Sequence, residues 1–189
     1  MKRRIGIVGN AKGLGSPAEE ILDRFHLSSG ETLLEASRRQ VLVVVFLRHF
    51  GCTFTRQILR GLERLQEQAS QRGARLVLVH MLKRGDESRY FHGGDVSWIA
   101  DTGCQLYRAF GLGRGGLMEL FGPRVWLMGA LSLLKGCGVG HLAGDGLQMP
   151  GAFLLREGKI LAAQRAKSAA DMPDIPAFFD EPQTSNFGS

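Results

Sequence analysis

The run QVLVVVFL at residues 40–47 constrains the fold more than any other stretch, because it is continuously apolar and largely β-branched. A strand with one face in water alternates apolar and polar residues; this one does not, so both of its faces need cover. From Thr53 to about Arg72 the apolar positions Ile58, Leu62, Leu65 and Ala69 fall at helical spacing between arginines and glutamates, and Gly73 closes the segment. A second apolar run, RLVLVHML at 75–82, comes at once after it. Strand, helix, strand with both strands buried predicts a right-handed parallel crossover.

The rest of the chain extends that unit. VSWIAD at 96–101 reads as a short strand, and TGCQLYRAFGL as a short helix that turns Leu106 and Phe110 toward a sheet. GAFLLREGKILAAQR at 151–165 reads as a β-hairpin about Glu157-Gly158, and ADMPDIPAFF as a closing helix from near Pro173. Residues 21–37, ILDRFHLSSGETLLEAS, read as two short extended pieces around a turn at Ser29-Gly30. Between 111 and 146 a glycine-rich loop carries one apolar helix at 125–134. The order predicts an α/β sandwich around a mixed central β-sheet flanked by helices. At 189 residues, 44% of them apolar, the chain reads as one domain over 21–180, with a flexible leader at 1–20 and a tail at 181–189.

Several function classes recede on composition and motif. Asn10 and Lys12 interrupt the N-terminal apolar stretch before a signal core forms, and VWLMGALSLL at 125–134 is about half the length that spans a bilayer. The net charge of +6 is spread along the chain and interleaved with glutamates, the pattern of a solvated surface rather than of a nucleic-acid site. GIVGNAKGLG at 6–15 lacks the G-x-G-x-x-G spacing of a dinucleotide site. Cys137 and His141 have half of a zinc spacing with no second pair, so no metal and no cofactor are expected. Cysteines at 52, 104 and 137 form no even framework and read as thiols of a reducing cytoplasm.

Cys52, in RHFGCTFTR, stands where the first buried strand gives way to the helix. A cysteine attacks only as its thiolate, and an ordinary thiol with pKa about 8.5 is mostly protonated at neutral pH. At a helix start, unpaired backbone N–H groups and the helix dipole favour the negative sulfur. Arg48 and then His49 are the nearest candidates to add positive charge, with Arg56 behind them. The plainer reading makes Cys52 a small apolar residue that ends a strand. Cys104 reads as packed beside Leu106, and Trp98 and Asp101 as core and turn residues.

VFLRHFGCTFTRQ, SWIADTGCQLYRAFGL and GDGLQMPGAFLLREGKILAAQRAKSAADMP together resemble the peroxiredoxin-like proteins of the alkyl hydroperoxide reductase C/thiol-specific antioxidant group, nearest the SelL-related redox proteins. The resemblance runs from about residue 21 to 179. It implies a thioredoxin-like fold with a peroxiredoxin-type N-terminal extension and a central insertion. It places Cys52 at the attacking position and Pro150, eight residues before Gly158, at the cis-proline that lies against the cysteine loop and presents the backbone of Met149 to substrate. Family members carry a second cysteine or selenocysteine where this chain has Thr55, and the P-x-x-x-T-x-x-C signature meets Val45, His49 and Cys52 here. Thr55 cannot resolve a disulfide, but its hydroxyl can donate to the sulfur. The resemblance thus implies a one-cysteine antioxidant oxidoreductase acting on a peroxide or disulfide, with a small thiol or thioredoxin-like protein as reductant and Cys137 as an alternative resolving thiol. A homodimer is left open. The rival is a redox-inactive binding module that uses the Cys52/Pro150 groove or the 125–134 helix.

Overall fold

The structure, a computed structural model, describes residues 15–50, 53–83, 85–91, 96–113, 148–166 and Ile175. The first apolar run forms β1 (Val41–Phe46) and the second β2 (Ala74–His80); β3 (Ser97–Ala100), β4 (Gly151–Arg156) and β5 (Lys159–Arg165) complete a five-stranded sheet. The order is β3-β2-β1-β4-β5, with β1 central, β1, β2 and β3 parallel, and β4 and β5 antiparallel to their neighbours.

Central placement explains the uninterrupted apolar run. Leu42, Val44 and Phe46 face one core with Val77, Val79, Phe153 and Leu155, while Val43, Val45 and Leu47 face the other with Leu76, Leu78 and Ala152. Each fully buried aliphatic or aromatic side chain contributes about 1.5–3 kcal/mol. The first core is covered by α1 (Glu19–Arg24), α2 (Leu33–Arg39) and α5 (Gln105–Ala109), and the second by α3 (Thr53–Arg60) and α4 (Leu62–Gln71).

Three expectations are corrected. Residues 21–37 are not extended: the turn at Ser29-Gly30 joins α1 to α2, and only the isolated His26–Thr32 bridge has strand character. Thr32 and Glu35 form a reciprocal capping box that starts α2, and Leu33, Leu34 and Ala36 bury one face of it. The helix over 53–72 is divided into α3 and α4 at Gly61, a residue that disfavours a helix interior. The Met149–Pro150 peptide bond is trans, since no described peptide bond is cis. There the chain runs extended into β4, held by Met149 N–H on the Gly113 carbonyl and by Ala166 N–H on the Pro150 carbonyl.

The hairpin turns where expected. Glu157 and Gly158 have φ of 51° and 73°, the pair of left-handed conformations that a two-residue turn with the twist of its strands requires. Ser37 ties that turn to α2, its carbonyl accepting from Glu157 N–H and its hydroxyl from Gly158 N–H. The expected 125–134 helix and the closing helix starting near Pro173 lie outside the described residues, apart from Ile175 in the latter. No helix among the described residues is long and apolar enough to cross a membrane.

Candidate active site

Register brings Arg48, His49, Met149 and Pro150 to one end of the sheet. Phe46 pairs with Val79 on one side and Gly151 on the other, and His80 with Ala100. The carboxyl ends of β1, β2 and β3 therefore meet the chain entering β4 at Pro150. In α/β sheets the crevice outside the carboxyl ends is where ligands bind.

Residues 47–50 leave β1, and α3 starts at Thr53. Gly51 and Cys52 lie outside the described residues, as does Cys137, so the structure gives the flanks of the candidate nucleophile. Those flanks are tightly fixed. Leu47 N–H donates to the Val79 carbonyl, and the Tyr107 hydroxyl lies 2.6 Å from the Leu47 carbonyl and 3.0 Å from that of Val79. Tyr107 is completely buried, and burial first, then the Cys104 and Asp101 charges, pushes its pKa well above the ordinary value. It remains a neutral phenol that pins the strand end.

Arg48 is 5% exposed, an unusual burial for a guanidinium, and its carbonyl accepts a hydrogen bond of 3.3 Å from the Thr55 hydroxyl. That bond ties the first turn of α3 back to the end of β1. A threonine hydroxyl has one proton, and here it points to a carbonyl, where the sequence reading pointed it at the sulfur. His49 has a buried Nδ1 without a hydrogen-bond partner, and its pKa is lowered by burial and then by the Arg48 charge. Near neutral pH it is an uncharged imidazole, which leaves Arg48 as the cation of this loop. The first turn of α3 contains no acidic residue to oppose an anion.

Pro150 and Met149 are buried. The Gln148 side-chain amide donates to the Leu112 and Gly113 carbonyls, and Met149 N–H to Gly113, so this N–H is directed into the fold rather than toward a substrate. Cys104 is half-buried, with its sulfur 3.4 Å from that of Met81, in the packed position expected of it. Asp101 does more than turn the chain. Nearly buried, it caps α5 by accepting from the N–H groups of Gln105, Leu106 and Tyr107, and burial raises its pKa against those bonds.

Sequence reasoning missed Tyr107 and His80. His80 ends β2 and is wholly buried against Phe50, Phe91 and Trp98. Its Nδ1 accepts from Leu82 N–H and burial lowers its pKa to about 4, although the Glu87 charge pulls the other way. A lone histidine closing an apolar strand was the available signal.

No family model matches the chain. Peroxiredoxin-like 2A of Xenopus laevis is 30% identical over 154 residues, which are 75% of this chain. The match spans 63% of that relative's length. Among solved structures, a mutant PrxQ of Xylella fastidiosa superposes with a TM-score of 0.59 at 18% identity, covering 88% of this chain and 92% of that one. A mutant peroxiredoxin 6 of Arenicola marina gives 0.58 at 12% identity, over 82% and 66% of the two chains. A Xanthomonas campestris bacterioferritin comigratory protein, whose structures concern alkyl peroxide reduction, gives 0.56 at 19% identity over 88% and 94%. The structural likenesses establish a thioredoxin-like fold.

Proposed function

We propose that this chain, a peroxiredoxin-like protein of the thioredoxin fold, is a thiol-dependent peroxidase in which Cys52 is the single attacking cysteine. The observation that carries the reading is the pairing of a buried Arg48 with a Thr55-anchored, acid-free start of α3, which flank Cys52 on both sides in sequence. A guanidinium in a poorly solvated loop and the free N–H groups of a first helical turn both favour thiolate over thiol. His49, held neutral, adds no charge here. Pro150 and Met149 wall the same end of the sheet.

The Cys52 thiolate attacks one oxygen of the peroxide; the S–O bond forms, the O–O bond breaks, and the other oxygen leaves as an alkoxide that takes up a proton. The resulting sulfenic acid condenses with a small thiol, releasing water and leaving a mixed disulfide. A second thiol attacks that disulfide, departs as the oxidised reductant and regenerates the Cys52 thiolate. Thr55, standing where a resolving cysteine would, makes the outside thiol necessary. Such a cycle suits the thiol-rich cytoplasm.

Peroxide treatment followed by dimedone tests this directly. The adduct should fall on Cys52, turnover should need an added small thiol, and Cys52→Ser should abolish both. Cys137→Ser should leave cycling intact; if it instead halts cycling and prolongs the sulfenic acid, Cys137 resolves. A wild-type chain that forms no Cys52 adduct with peroxides or disulfides would favour the binding-module reading, in which the groove beside Pro150 holds a partner.

A further inference from the structure

A cleft of about 850 Å³ opens beside the edge strand β3, with Lys83, Glu87, Trp98, Ser28 and Thr102 among its lining residues. That volume is in the range of small-molecule sites. Glu87 is 6% exposed; its Oε2 accepts from Gly85 N–H, while its buried Oε1 has no hydrogen-bond partner. A buried carboxylate oxygen left without a donor is costly, so the position calls for one. His80 beside it stays uncharged near neutral pH and does not neutralise the carboxylate. Among the described residues no ion pair joins Lys83 to Glu87, although both line the cleft.

A negative group, a positive group and a flat indole lining one cleft are the complement of an α-amino acid head group. Its ammonium answers Glu87, its carboxylate answers Lys83, and its carbon skeleton lies against Trp98. The cleft is also connected to the chain that leaves β1. The turn that carries Glu87 continues into Tyr90 and Phe91, whose rings lie 4.3 and 6.0 Å from that of Phe50, two residues before Cys52. We propose that this cleft binds the α-amino acid head group of the small thiol that reduces the enzyme. The proposal rests on the thiol-peroxidase reading for its biological role and on the cleft alone for its chemistry.

Calorimetry of the full chain with S-methylglutathione, whose blocked sulfur cannot react, measures the binding without the redox step. Wild type should bind, and Glu87→Gln and Lys83→Ala should each weaken binding about tenfold, the effect of losing one charge-assisted contact. In turnover, both substitutions should raise the ratio of the KM for glutathione to that for 2-mercaptoethanol by a similar factor. Lys83 is exposed, so its variant carries the test even if Glu87→Gln does not fold. Absence of binding at millimolar ligand, or equal affinity in wild type and both variants, would overturn the cleft. Binding with the expected dependence in a chain inert to peroxides would uphold the cleft and overturn the peroxidase reading; glutathione turnover indifferent to both substitutions would do the reverse.

Discussion

His80 illustrates how a single residue at the sheet's carboxyl end sets a measurable property of the molecule. Its pKa falls from an ordinary 6.5 to about 4 because it is wholly buried among Phe50, Phe91 and Trp98. Above pH 6.5 the histidine is neutral in folded and unfolded chains alike and adds no pH dependence. Between 6.5 and 4 the unfolded chain takes up the proton first, so stability falls with pH, and below about 4 the loss levels off. The full difference is on the order of 3 kcal/mol. Urea unfolding at a series of pH values should show this loss, and His80→Phe should flatten much of it, leaving the slope due to His49 and Glu31, whose shifts act in the same sense, against the opposing shift of Asp101. Parallel profiles for the two proteins would mean that His80 is not held neutral by burial.

Among the elements, β4 is closely packed where it begins. A Cβ built on Gly151 would lie 2.7 Å from a Leu112 methyl, 3.0 Å from the Phe153 ring and 3.2 Å from the Gln164 carbonyl. Gly151→Ala should therefore destabilise the fold by about 1–3 kcal/mol, the usual cost of overpacking. Thermal unfolding reads this, and an unchanged midpoint would show that Leu112 moves aside freely. The strands themselves were legible because burial on both faces writes an uninterrupted apolar run at 40–47 and 75–82, and the hairpin because Glu157-Gly158 interrupts alternation. The α1–α2 region was not, although Thr32 and Glu35 spell a capping box. Helices of six and seven residues are hardly stable alone, and packing of Leu22, Leu33 and Leu34 on the sheet decides their conformation.

On the scale of the whole molecule, the fold was legible from the order of its elements, whereas much of the site's surroundings was not. Cys52 and Arg48 are neighbours in sequence and could be linked by eye. The contacts of Tyr107 with Leu47, 60 residues away, and with Val79, 28 away, exist only once α5 packs on the sheet. The isomer at Met149–Pro150 was equally hidden, because the hydrogen bonds to Gly113 that hold the extended chain come from a distant loop. The proposed peroxidase requires that Cys52 be a thiolate at neutral pH. The measurement that tests it most directly is the pH dependence of alkylation at each cysteine, read by mass spectrometry of briefly labelled protein. Cys52 should label fastest at neutral pH, with an apparent pKa clearly below the ordinary thiol value of about 8.5. If Cys104 or Cys137 labels first while Cys52 stays protected in the folded chain, Cys52 is an incidental strand-end residue and the account fails.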